Sequence, residues 1–184
     1  PLIVIISLIA FVLSLAASHL VLPQLGRLGP LIAILGLVVL AVMSIGRRAA
    51  YLPCLIALMM SYGGWTTLAL SALTHARTRS YFGIYTVLDS DRTRRLSHGT
   101  TVHGLQNLTP GHELDPTSYY APKSGVGLAM RLATTPTSRI GVVGLGAGTL
   151  ACYARPGQAW RFYEIDPAVA SIARDPRRFV FLSR

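Results

Sequence analysis

Acidic residues are scarce in this chain of 184 residues, which has seven Asp and Glu against seventeen Lys and Arg and a formal net charge of +10. No Asp, Glu or Lys occurs before Asp89, and the first 74 residues carry charge only at Arg27, Arg47 and Arg48. Helices of a soluble core would show polar faces, whereas this stretch has the composition of a membrane segment. The sequence therefore predicts a transmembrane helical region over residues 1–74 and a polar part from His75 onward.

Cysteine is also scarce, since the chain has only two, Cys54 and Cys152. They form no CxxC pair and have no histidine at metal-ligand spacing, which argues against a disulfide framework and against a zinc site. His98, His103 and His112 fall at spacings that suit turns and strand faces, so we interpret them as structural histidines. No metal site is predicted.

Lysine is nearly absent as well, because Lys123 is the single Lys beside sixteen Arg. The arginines are scattered, without a basic helix or a patch interleaved with aromatic residues, and this argues against nucleic-acid binding. Anionic lipid headgroups are a simpler partner for Arg77 and Arg79, which follow the apolar region.

Three long apolar runs predict about three helices, over Leu2–Leu22, Leu31–Ile45 and Ala49–Leu73. The first run is long enough to cross the roughly 30 Å hydrocarbon layer, and it lacks the charged start of a signal peptide. The arginines that flank the runs do not decide the orientation.

The polar part begins with alternating segments that are typical of β-strands, at Tyr81–Leu88, Arg94–Ser97 and Thr100–Leu105. Turn residues separate them, so residues 75–116 are predicted to form a small β-meander. A helix is expected over Ser124–Leu132.

Residues 117–184 contain the order strand, glycine turn, helix start and second strand, and this order predicts the incomplete start of a Rossmann-like fold. Gly144, Gly146 and Gly148 follow an apolar β-branched run and would let the backbone turn tightly beside a ligand. Glu164 ends the next apolar run, where it could accept hydrogen bonds from both ribose hydroxyls. Asp166 and Pro167 are typical of a helix N-terminus.

Several motifs together resemble the spermidine synthase-like proteins of bacteria, in the branch that fuses a membrane-helical part to an aminopropyltransferase-type domain. Besides the glycine turn, the resemblance rests on Tyr81–Tyr85, His98–Gln106, Pro116–Pro122 and Tyr163–Pro167. It covers about residues 78 to 184.

The resemblance implies a small β-domain leading into a methyltransferase-type fold that binds decarboxylated S-adenosylmethionine, methylthioadenosine or S-adenosylmethionine. It implies that Glu164 and the glycine turn hold this ligand together with Gln106, and that Tyr119 or Tyr120 lines the pocket of a polyamine substrate. The activity implied is aminopropyl transfer in polyamine biosynthesis. Because a nucleoside-using domain needs cytosolic metabolites, we expect a bacterial inner-membrane protein with its polar part in the cytoplasm.

The chain departs from the family pattern in its acids. Ala147 stands where spermidine synthases have an Asp inside the glycine motif, and Tyr120–Ala121 where they have His-Glu. The family's catalytic Asp is expected beyond Arg184, so no catalytic residue is assigned. Two alternatives stay open, an S-adenosylmethionine-dependent methyltransferase and a catalytically inactive regulatory domain of a membrane transporter or sensor. Homo-oligomerisation is compatible with either.

Overall fold

The computed structural model of the chain describes residues 2–18 and 28–183. It forms two compact units, Pro1–Thr74 and His75–Arg184. The boundary falls where the apolar composition ends and the polar, Arg-rich sequence begins.

The first unit is helical. It contains α1 (Leu2–Ala17), α2 (Leu28–Met43), α3 (Arg48–Met59) and α4 (Trp65–Leu68), with wide π-type turns at Met60–Gly64 and Ala69–Leu73. Small buried side chains on α1, α2 and α3, among them Ala10, Ala41 and Ala57, let the helices pack closely. The indole Nε1 of Trp65 donates a 2.8 Å hydrogen bond to Ser14 Oγ, which ties the last part of the unit to α1.

The helix from Arg48 to Leu73 is continuous but kinked, because Tyr62 and Gly63 leave helical geometry and Gly63 has a φ of 96°. Among the described residues it is the one helix long and apolar enough to cross a membrane, and a single such helix is weak evidence of a membrane protein. With 16 residues each, α1 and α2 are shorter, at about 24 Å. The predicted end of the first run, Leu20–Leu22, lies outside the described residues.

The second unit combines two sheets and two short helices. The antiparallel sheet runs in the order β1 (Arg77–Ser80), β2 (Gly83–Asp89), β3 (Thr93–His98) and β4 (Thr101–Asn107), and β5 (Arg139–Val143) pairs in parallel with β6 (Ala159–Tyr163). The helices are α5 (Gly125–Leu132) and α6 (Pro167–Arg174). The expectation of a helical part followed by an α/β part is confirmed for the secondary structure.

Caps explain where both helices begin. Ser124 Oγ accepts a hydrogen bond from Gly127 N at the start of α5, and Asp166 caps α6 with Pro167 in its first turn. Both starts agree with the sequence prediction.

Two local predictions are wrong. Tyr81 and Phe82 were expected inside a strand but lie in the turn between β1 and β2, and β1 itself was missed, because its Arg-Thr-Arg-Ser sequence shows no apolar alternation. The glycine turn was expected to open a helix, yet only the short 3₁₀ turn Thr149–Tyr153 follows it. Ten residues separate Gly148 from β6, and they leave no room for an α-helix and a return loop.

The core of the second unit joins the two sheets. Leu96 of β3 and Ala147 of the glycine turn are buried together with Phe179 and Phe181 of the C-terminal segment. This packing brings the glycine turn against the antiparallel sheet and leaves a cavity between them.

Candidate functional site

A cavity of about 400 Å³ lies in the second unit between the antiparallel sheet and the carboxyl ends of β5 and β6. The carboxyl ends of parallel strands are where α/β folds bind ligands. Its lining residues come from β2, β3, β4 and β5, from the turn before α5, from the glycine turn and the 3₁₀ turn after it, from Glu164 directly after β6, and from α6. The polar or flexible ones are Tyr85, His103, Tyr119, Tyr120, Gly144, Gly146 and Glu164.

The glycine turn needs its glycines for its conformation. Gly144, Gly146 and Gly148 have φ values of 86°, 55° and 85°, in the left-handed region that favours glycine. Gly144 N donates a 2.8 Å hydrogen bond to Tyr163 O, which continues the β5–β6 pairing into the turn. Gly144 and Gly146 line the cavity, whereas Gly148 packs near Leu182.

Glu164 lies at the end of β6 and lines the cavity beside the glycine turn. Its Oε2 accepts a hydrogen bond from Leu145 N at 2.9 Å, and its Oε1 accepts one from Asp166 N at 2.9 Å. A carboxylate offers about four lone-pair positions, so two backbone donors fix its orientation and leave capacity for a ligand. The predicted acid and the predicted glycine turn are therefore in direct contact.

Tyr119 and Tyr120 lie on the short turn Ser118–Tyr120, and both line the cavity, with ring centroids 4.5 Å apart. Burial, and then the neighbouring Tyr119, raise the pKa of Tyr120 to about 12. The backbone of this turn is held by Tyr153, whose hydroxyl donates a 2.6 Å hydrogen bond to Tyr120 O.

Gln106 is placed away from the cavity lining. It is 2% exposed, and its Oε1 accepts a 2.9 Å hydrogen bond from Val180 N. This bond joins β4 to the C-terminal segment, a pairing across 74 residues of sequence. The structure thus gives Gln106 a contact within the fold, and the ligand contact implied by the resemblance stays a prediction.

His103, interpreted from the sequence as structural, lines the cavity from β4. Its own burial and the nearby His98 lower its pKa, while Glu164 acts in the opposite direction. The two imidazole centroids are 5.7 Å apart. The signal in the sequence was the strand alternation, which turns His103 to the opposite face from Val102 and Gly104.

A buried carboxylate supports the cavity wall and was also missed as a feature of the site. Asp166, 2% exposed, accepts hydrogen bonds from Ser80 Oγ at 2.5 Å, from the Tyr85 hydroxyl and from Ala168 N at 2.8 Å. Burial by itself would raise the pKa of Asp166, but the bonds from Ser80, Tyr85 and Ala168 N outweigh it and lower the pKa. Burial first, and then Asp166, raise the pKa of Tyr85 to about 12.

Ala147, which stands where the spermidine synthases it resembles have an Asp, is 1% exposed and packs against Gly104 of β4. A Cβ on Gly104 would collide with the Ala147 side chain, so β4 and the glycine turn approach at the smallest distance that Gly and Ala allow. An Asp here would bury a charge in the core, and this packing gives the departure a structural reason.

Among the described residues, no group of three or more His, Cys, Asp and Glu side chains is arranged to hold a metal ion. No protein-family model, curated protein or solved structure matches the chain.

Proposed function

We propose that the second unit binds a 5′-thio-substituted adenosine in its cavity and belongs to a spermidine synthase-like protein that transfers an aminopropyl group from decarboxylated S-adenosylmethionine to an amine. The observation that carries the proposal is the position of Glu164. It lines the cavity at the end of β6, held by two backbone N–H groups beside a turn of three left-handed glycines.

The geometry suits a nucleoside. An acid at the end of the second strand is where Rossmann-like folds hold the ribose hydroxyls, and glycines without Cβ atoms let the ligand approach the backbone. A Cβ on Gly144 would meet no protein atom within 4 Å, which leaves open space for a ligand at that position. The parallel β5–β6 pair, the crossover between them and α6 support the proposal of a Rossmann-like, methyltransferase-type fold.

The aminopropyl chemistry is the second half of the proposal. In such a transfer, a neutral amine attacks the carbon beside the sulfonium, the carbon–sulfur bond breaks, and the neutral thioether leaves. Tyr119 and Tyr120 form an aromatic wall on which the protonated distal end of a polyamine can pack, since cations are attracted to aromatic faces.

A second candidate function is ligand binding without transfer, as in a regulatory domain of a transporter or sensor. Among the described residues that line the cavity, Glu164 is the sole acid. Carboxylates are the groups that bind the cationic ends of a polyamine, so this lining favours nucleoside binding over amine binding. S-adenosylmethionine-dependent methyl transfer would use the same nucleoside contacts.

The test is calorimetry on the full chain in detergent with methylthioadenosine, wild type against Glu164→Ala. A hydrogen bond to a charged group contributes about 1.5–3 kcal/mol, so we expect affinity to fall tenfold or more. The same titration with 2′,3′-dideoxy-5′-methylthioadenosine identifies the contact, because removing the hydroxyls should weaken binding to the wild type and hardly change binding to Glu164→Ala.

Glu113→Ala is the matched control, since Glu113 bonds to Gly111 N in a surface loop. Its affinity should equal that of the wild type. No heat with methylthioadenosine, S-adenosylmethionine or decarboxylated S-adenosylmethionine would refute the proposal. Aminopropyl transfer to putrescine or spermidine, measured with the decarboxylated donor, separates the enzyme from the binding domain.

We also propose that the first unit anchors the protein in the bacterial inner membrane with the second unit in the cytoplasm. Large apolar side chains are exposed along its helices, among them Val4, Leu35 and Ile56. Protease added outside spheroplasts should leave the second unit intact, and its digestion there would refute this orientation.

A further inference from the structure

His103 lines the same cavity as Gly144 and Gly146 of the glycine turn. It projects from β4, the strand that packs directly on the turn, and a Cβ on Gly146 would lie only 2.5 Å from His103 O. His103 and Glu164 line the same small cavity, and Glu164 acts electrostatically on the imidazole.

Of the groups around His103 in the described part of the chain, His98 is the one that can also become a cation, so its contribution has to be measured separately. Tyr85 on β2 and Tyr120 on the turn before α5 are neutral near pH 7, because the pKa of each is raised to about 12. Tyr119 lines the same wall, and His98 on β3 lies behind the imidazole with its ring centroid 5.7 Å away. Beyond these groups, Asp166 is engaged by Ser80 and by Ala168 N.

We propose that His103 selects the charge of the ligand: as the neutral imidazole it admits a sulfonium or ammonium ligand beside Glu164, and as the imidazolium it excludes that ligand while still admitting the neutral thioether. This inference rests on the proposed nucleoside function and specifies the ligand of that site.

Electrostatics supports the selection. Any position in a cavity of about 400 Å³ lies within roughly one Debye length of His103, so salt does not screen the repulsion fully. Burial, followed by His98, lowers the pKa of His103, so the imidazole is neutral at cytoplasmic pH and the site accepts the cationic donor there. The thioether product has lost the sulfonium charge, so its affinity does not depend on this proton.

The test compares decarboxylated S-adenosylmethionine with methylthioadenosine on the full chain, by calorimetry between about pH 8 and about pH 5. Both ligands share the adenosine, so the ratio of their affinities cancels changes in the ribose contact and in folding. In the wild type, the affinity for the sulfonium ligand relative to the thioether should fall by about tenfold or more as His103 becomes protonated. In His103→Gln the ratio should change with pH much less than in the wild type.

His98→Gln is the matched variant, since it removes the neighbouring imidazole and leaves His103 in place. It should keep the pH dependence of the ratio. A wild-type ratio that is constant across the pH range overturns the inference. A ratio that loses its pH dependence in His98→Gln but keeps it in His103→Gln also overturns it. Failure of methylthioadenosine to bind at pH 8 overturns the proposed function instead, and binding of methylthioadenosine to each variant shows that the variant is folded.

Discussion

Replacing Asp166 should reduce the local stability of α6 far more than replacing any surface acid. Its carboxylate is 2% exposed and accepts hydrogen bonds from Ser80 Oγ, the Tyr85 hydroxyl and Ala168 N. The Ala168 bond is the N-cap of α6, and losing a cap costs about 1 kcal/mol. Each lost bond to the charged acceptor costs about 1.5–3 kcal/mol, because the partly buried Ser80 hydroxyl and the buried Tyr85 hydroxyl lose their acceptor.

These contributions share one group and are not additive, so we expect Asp166→Ala to reduce local stability by about 3–5 kcal/mol. Hydrogen exchange measured by mass spectrometry over Pro167–Arg174 reports this quantity directly for the full chain. Asp166→Asn keeps an acceptor for the cap and should lose about half as much. Asp91→Asn, at an exposed turn, is the control and should exchange like the wild type.

The pH dependence has a defined sign. The pKa of Asp166 is lowered in the folded protein, so its contribution is complete above the unfolded pKa of about 3.9 and is lost as the pH falls through the folded pKa. Exchange in the wild type should therefore accelerate below about pH 4 more steeply than in Asp166→Asn, beyond the intrinsic rate of the amides. Equal slopes, or a loss under about 1 kcal/mol in Asp166→Ala, would refute this account of the network.

Two further predictions concern the glycine turn, and both are measured as changes in unfolding free energy. Gly146→Ala should destabilise the second unit by at least about 1 kcal/mol more than Gly144→Ala, because both positions have positive φ but only Gly146 would place its Cβ against the His103 carbonyl. Equal losses would show that β4 moves freely. Thr149→Val should stabilise the second unit by about 1 kcal/mol, because Thr149 Oγ1 is buried without a hydrogen-bond partner in the described chain. Thr149→Ser, which keeps the hydroxyl, should destabilise the unit. A loss of stability in Thr149→Val would mean that a bound water satisfies this hydroxyl.

Local signals in the sequence predicted the local structure well. Ser124 and Asp166 were recognised as helix starts because a cap is decided by residues within one turn. The meander was recognised from alternation, apart from β1, whose polar sequence gives no such signal. The sequence also predicted that the glycine turn and Glu164 lie together, because the carboxyl ends of adjacent parallel strands meet at the same edge of a sheet.

Contacts between distant segments could not be predicted in this way. Val180 N lies 74 residues from its acceptor Gln106, and Ser80 lies 86 residues from Asp166. No periodicity relates such positions, since they meet only when β1 and β4 pack on the C-terminal segment. For the same reason His103 looked like an ordinary strand histidine until the fold placed it in the cavity.

Two acids separated by one residue illustrate how little their sequence positions reveal about their tasks. Glu164 and Asp166 both follow β6, and Asp166 N donates to Glu164 Oε1. Asp166 is buried and accepts hydrogen bonds from three protein donors. Glu164 lines the cavity, accepts from two protein donors, and can accept further hydrogen bonds from a ligand. The difference decides which acid can bind a ligand and which can only hold the wall in place.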